Sequence, residues 1–117
     1  MMNNAKEFRL WPPELDAVVA ASESHKILLE NDRVRVLEVI IQPGRKEPMH
    51  QHRWFSVMVV DSPADIRYHH VNGNVEDIQR KESGAVTLTE SLPPEKLHAV
   101  ENIDTKIYHA FRIELKE

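Results

Sequence analysis

His50-Gln51-His52 follows a Pro43-Gly44 turn, and a lone His98 stands far downstream. Three imidazoles brought together can hold a divalent metal ion, since the neutral ring nitrogen ligates Zn, Fe, Ni, Cu, Mn and Co in varying degree. The chain has no cysteine, so no thiolate enters such a site and soft Cu(I) is disfavoured. On an extended segment His50 and His52 project to one side, and Trp54, Ser56, Met58 and Val60 continue that row. The competing reading is a solvent-facing loop, because histidine is only moderately buried in proteins and this chain carries seven.

Bringing residues 50–52 against residue 98 is the work of the surrounding elements. A helical period at Leu15, Val18 and Val19, preceded by Pro12-Pro13 and Glu14, predicts one short helix over about residues 14–22. From Arg33 onward the pattern changes to short β-rich runs: Val34 to Ile41, Trp54 to Val60, Asp65 to His70, Val75 to Arg80, Ala85 to Thr89 and Lys106 to Leu115. Asn72-Gly73 tolerates the positive φ of a tight hairpin, and Pro43-Gly44 closes the first long run. The fold class is therefore all-β, a barrel or a sandwich, since many short strands in one small domain must close or stack to bury a face.

At 117 residues the chain is long enough for one domain and too short for two. Its apolar runs are too short to span a bilayer, and the start lacks the apolar core of a secretory signal, so a cytoplasmic protein without a membrane anchor is expected. A net charge of −4, with Lys and Arg scattered singly, offers no basic stripe to replace phosphate counterions. Nucleic acid is excluded as an expected partner.

Two segments together resemble the motifs of the cupins. Gly44, His50 and His52 match the first cupin motif, but Ser56 or Val57 stands where its Glu belongs, and Pro63 or Ala64 where its second Gly belongs. Pro93, His98 and Asn102 match the second motif, with Glu95 replacing its Gly. The similarity covers roughly residues 27 to 115, and the stretches Leu29 to Glu38 and Ala99 to Asn102 also look like small uncharacterised bacterial cupins. The resemblance implies a single double-stranded β-helix barrel, jelly-roll-like, over 27–117, after an N-terminal extension over 1–26 that carries the helix. It also implies a metal near one mouth of the barrel, held by His50, His52 and His98. Three neutral imidazoles without the usual carboxylate leave the ion's double charge intact, making it a stronger Lewis acid.

The functional expectation is a metal-binding cupin carrying Fe, Mn, Ni or Zn and acting on a small organic molecule by oxygenase-type or Lewis-acid chemistry. Glu38 and His109 are the candidate proton-transfer groups: strand parity places His109 with Ile107, Phe111, Ile113 and Leu115, and Glu38 with Val34, Val36 and Ile40. The plainer reading of His109 is a hydrogen-bonded core histidine, and Glu38 faces inward on one parity and outward on the other. One of His69 and His70 could line the cavity; Arg45 and Arg53 flank the histidine pair; His25 receives no role. The alternative is a non-catalytic ligand-binding or sensing module, metal-free or not, because fold does not fix function. A homodimer is expected, with Phe8 and Trp11 among its candidate contacts.

Overall fold

The computed structural model describes residues 11–80 and 87–116, with 87–91 described by backbone alone. Among the described residues, a 3-10 turn (Pro13–Leu15) and a single helical turn α1 (Ala17–Ala20) are followed by nine strands. These are β1 (His25–Glu30), β2 (Val34–Ile41), β3 (His50–His52), β4 (Phe55–Ser62), β5 (Ile66–His70), β6 (Val75–Ile78), β7 (Thr87–Leu92), β8 (Glu95–Asn102) and β9 (Tyr108–Leu115). They form two antiparallel sheets, ordered β1-β2-β9-β4-β7 and β3-β8-β5-β6. This is the all-β architecture that the sequence patterns require. Among the described residues no helix is long and apolar enough to cross a membrane.

Alternation in β2 sends Arg35, Leu37, Val39 and Ile41 inward. Val39, Ile41 and Ala110 form the buried apolar cluster, and Met58, Val60, Val100 and Tyr108 pack on it. Between this cluster and the small sheet lies a cavity of about 230 Å³.

The helix is shorter than the expected span of 14–22. Asp16 keeps an extended backbone and caps α1 by accepting from the Val18 N–H at 3.2 Å. The same Asp16 Oδ1 accepts from Arg35 Nη2 at 2.8 Å, so the residue is held as a tether to β2 and cannot join the helix. At the other end Ala21 has already left helical geometry.

Three of the described strands, β1, β3 and β8, lie outside the six expected runs. β1 opens at His25, so the expected division between residues 26 and 27 falls inside a strand paired with β2. β8, with its polar sequence Glu95-Lys96-Leu97-His98-Ala99-Val100-Glu101-Asn102, lies between β3 and β5 in the small sheet. The Ala85 and Val86 end of one expected strand and Phe8 lie outside the described residues. Gly73 takes φ 92° in the β5–β6 turn, the left-handed geometry that Asn72-Gly73 anticipated.

Gly44 takes φ 79°, and the loop it opens is pinned to β8 by Asn102. The Asn102 backbone exchanges hydrogen bonds with this loop, accepting from Gly44 N and donating to Arg45 O, both at 2.9 Å. Its side-chain amide donates to Ile41 O and Lys106 O, both at 2.8 Å, and its Oδ1 accepts from Asp104 N at 2.9 Å. The residue is fully buried and ties β2, β8 and the approach to β9 together. Replacing Asn102 by Ala leaves two carbonyls and an N–H without partners and is expected to lower unfolding free energy by about 1–3 kcal/mol in urea titrations. A loss below about 0.5 kcal/mol would show that water replaces the clamp.

Candidate metal centre

β3 is short because it must turn the chain from the pinned loop into β4, yet all three of its residues are buried. It runs antiparallel to β8 with His50 opposite His98 and His52 opposite Glu95, and a register irregularity lies between the two pairs. His25 enters from the start of β1. Its ring lies 4.8 Å from that of His50 and 5.2 Å from that of His52, while the His98 ring lies 4.5 Å from His50 and 5.6 Å from His52. Four buried imidazoles thus meet at one end of the cavity.

Each ring is oriented through Nδ1. His50 Nδ1 lies 2.9 Å from Pro48 O, His98 Nδ1 2.7 Å from Lys96 O, and His25 Nδ1 3.2 Å from Ala21 O. A carbonyl only accepts, so in these rings Nδ1 carries the proton and Nε2 the lone pair. His52 donates from Nδ1 to Glu114 Oε2 at 3.2 Å, and Glu114 Oε1 accepts from Arg35 Nε at 2.5 Å. This carboxylate–histidine arrangement fixes ring angle and raises ligand basicity in metal sites. In all four rings Nε2 is the nitrogen left to ligate.

The ligand atoms of His25, His50 and His52 lie within 4.8 Å of one another, and so do those of His52, Glu95 and His98. The three-histidine group therefore contains His25, while His98 converges with His52 and a carboxylate. Burial holds His50, His52 and His98 below the ordinary imidazole pKa and His25 down to about 3. All four are neutral at pH 7, the protonation state that ligation demands. Either group, three imidazoles or two imidazoles plus a carboxylate, is a donor set that fits a divalent transition ion.

Two acidic side chains share the cavity. Glu47 accepts from Ser24 Oγ at 2.5 Å and from Val100 N at 3.2 Å, and lies 3.8 Å from His50 Nε2. Burial raises its pKa against the pull of His50 and Ser24. Glu95 is also pushed up by burial, but Arg112, His98 and the Tyr68 hydroxyl outweigh this and keep it below its ordinary value. Arg112 Nη1 donates to Glu95 Oε1 at 2.8 Å, and Tyr68 Oη donates to Glu95 Oε2 at 3.0 Å. Tyr68 in turn stacks on His98, centroids 4.9 Å apart.

Glu38 and His109 come together, with Oε2 and Nε2 2.8 Å apart, but on the outer face of the large sheet. The buried parity in β9 is Ala110, Arg112 and Glu114, and in β2 it is Arg35, Leu37, Val39 and Ile41. The inward direction expected for His109 is corrected accordingly, and the direction left open for Glu38 is outward: neither lines the cavity. His109 is instead flanked by Glu38 and Asp61, hydrogen bonds that raise its pKa. His69 bonds Glu101 at 2.9 Å and His70 is half exposed; neither lines the cavity. Arg45 is exposed, and Arg53 lies over the Trp54 ring at 4.4 Å. Ser56, one of the two residues that stand where the motif carboxylate belongs, accepts from Arg112 Nε at 3.0 Å.

Sequence reasoning missed His25, Glu47, Glu95 and Arg112. Glu95 had a signal, since it replaces a glycine three residues before His98. Arg112 had none, because its partners are 17 and 56 residues away in sequence.

No family model matches the sequence, and no curated protein does. Solved structures do. A cupin domain from Bordetella pertussis Tohama I superposes with a TM-score of 0.64 at 22% identity, over 80% of this chain and 92% of that one. An RmlC-like cupin family protein with a double-stranded β-helix fold from Methanocaldococcus jannaschii gives 0.56 at 12% identity, over 78% and 77%. The polyketide cyclase RemF from Streptomyces resistomycificus gives 0.51 at 17% identity, over 80% and 64%. The fold is the small cupin double-stranded β-helix.

The depressed imidazoles carry a pH signature. Unfolded rings take up protons near 6.5, whereas His25 in the native state does so only near 3. Their stabilisation is complete above pH ~6.5 and is lost as pH falls from there toward 3. Glu47 and Glu114, raised by burial, act in the opposite sense, but the four rings outnumber them. Metal-depleted protein is expected to lose about 1 kcal/mol per pH unit or more between pH ~6.5 and ~4.5 in urea titrations, with a shallower slope in His25→Gln. Equal slopes in the two proteins would show that native His25 is protonated.

Proposed function

We propose that the protein binds one divalent metal ion at the imidazole cluster and acts on a small organic molecule in the adjoining cavity. The observation that carries this reading is the convergence of four buried histidines whose Nδ1 atoms are all engaged, leaving Nε2 as the ligating atom. His52 is common to both groups of ligating atoms; His25 and His50 complete a three-histidine set, and His98 with Glu95 complete the other. The candidates for the ion are Fe, Mn, Ni and Zn. Such an ion supplies Lewis-acid polarisation of a carbonyl or, if redox-active, oxygen chemistry.

The chain's own residues supply the rest. Val39, Ile41, Met58, Ile66 and Val100 form a largely apolar wall that excludes water from a bound molecule. With the ion in the three-histidine set, Glu95 is free for the proton-transfer role expected of Glu38 or His109, because it lines the cavity and is held ionised by Arg112 and Tyr68. Tyr68, its hydroxyl pKa raised by burial and by Glu95, stays protonated and donates.

Elemental analysis of untagged protein tests this reading. About one ion per chain is expected, with occupancy falling at least ~10-fold in His50→Ala and His52→Ala and far-UV circular dichroism unchanged. Glu114→Gln weakens the acceptor behind His52 and is expected to lower metal affinity by roughly 10-fold or more. No bound metal after anaerobic reconstitution with Fe(II), Mn(II), Ni(II) and Zn(II) would overturn the proposal.

A further inference from the structure

Arg112 is the polar feature of the cavity that metal binding leaves unexplained. It rises from the middle of β9, is 3% exposed, and lines the cavity beside Met58. Nε donates to Ser56 Oγ and Nη1 to Glu95 Oε1, but Nη2 is fully buried and has no hydrogen-bond partner among the described residues. A buried donor without an acceptor is destabilising, so a guanidinium held this way points to an acceptor that arrives from outside.

We propose that Arg112 Nη2 is the recognition point for a carboxylate group, and that the molecule bound in this cavity is a small monocarboxylate with an apolar body. The guanidinium presents N–H groups in a rigid fork suited to carboxylate oxygens, and a charged acceptor forms the stronger bond in a site shielded from water. The walls around it, Val39, Ile41, Met58, Ile66 and Val100, suit a hydrocarbon remainder. A cavity of about 230 Å³ limits that remainder to a few carbons. Glu47 and Glu95 line the same space and disfavour a dianion such as phosphate. The choice of an anion over a neutral carbonyl rests in part on the proposed metal: with a divalent ion present, the ion and Arg112 outweigh the two carboxylates, and a monoanion neutralises the excess.

The test compares isovalerate with its neutral isostere isovaleramide by isothermal titration calorimetry on the full chain, metal content being measured on the same samples. Wild type is expected to bind isovalerate at least ~10-fold more tightly than the amide, and Arg112→Gln to abolish that preference while leaving amide binding within about threefold. Equal affinities in wild type, or a preference that survives in Arg112→Gln, would overturn the assignment. Absence of metal in the samples would count against the proposed function instead, while an Arg112-dependent preference in those same samples would still support the carboxylate site. If Arg112→Gln does not fold, a crystal structure of wild type with isovalerate decides. A carboxylate oxygen within hydrogen-bond distance of Arg112 Nη2 supports the proposal, and a carboxylate seated elsewhere overturns it.

Discussion

Burying ionisable groups in a barrel this small demands that nearly every one be partnered, and that demand organises the structure. Arg35, Glu114 and His52 form a continuous chain from β2 through β9 to β3, and Asp16 extends it to the N-terminal turn. An isolated charge in this interior would cost several kcal/mol, so the four residues stand or fall together. The short helical turn, the inner edge of the large sheet and the first histidine-bearing strand are held by one network. Local helix propensity is subordinate to it, as the early end of α1 shows.

The same network supplies chemistry. Acceptors on Nδ1 come from four unrelated places: a turn carbonyl before β1, the carbonyl of Pro48, the carbonyl of Lys96 and the Glu114 carboxylate. Each fixes a tautomer as well as a ring angle, so the backbone itself prepares the Nε2 lone pairs. Burial then keeps the rings neutral. Fold stability and ligating ability share a cause, and they pull in opposite directions only when acid forces protons onto the rings.

The inner face of the large sheet carries charged residues beside its apolar cluster. On β9 the inward row is Tyr108, Ala110, Arg112 and Glu114, whereas the outward row is His109, Phe111, Ile113 and Leu115. The Glu38–His109–Asp61 cluster sits on that outer face, partly solvated, where hydrogen bonding is inexpensive. Ser56, one of the two residues where the motif carboxylate belongs, leaves room for Arg112 to lie across the sheet, and Glu95 on the facing strand restores a carboxylate to the cavity.

Much was legible in the sequence by itself. The β class followed from short branched runs and Gly-marked turns. The resemblance to the cupin motifs, rather than spacing alone, drew attention to His50, His52, His98 and Asn102. Strand alternation was legible too, but not its sign: a rule that sends apolar residues inward fails where the inner face carries a site, and it turned His109 the wrong way while leaving Glu38 open. Only the tertiary structure could decide that His25, 25 residues before His50, joins the cluster, or that Arg112 meets Ser56 and Glu95. Those contacts arise from the pairing of β1 with β2 and of β9 with β4, and from the closure of one sheet over the other. Local periodicity carries no record of such long-range geometry.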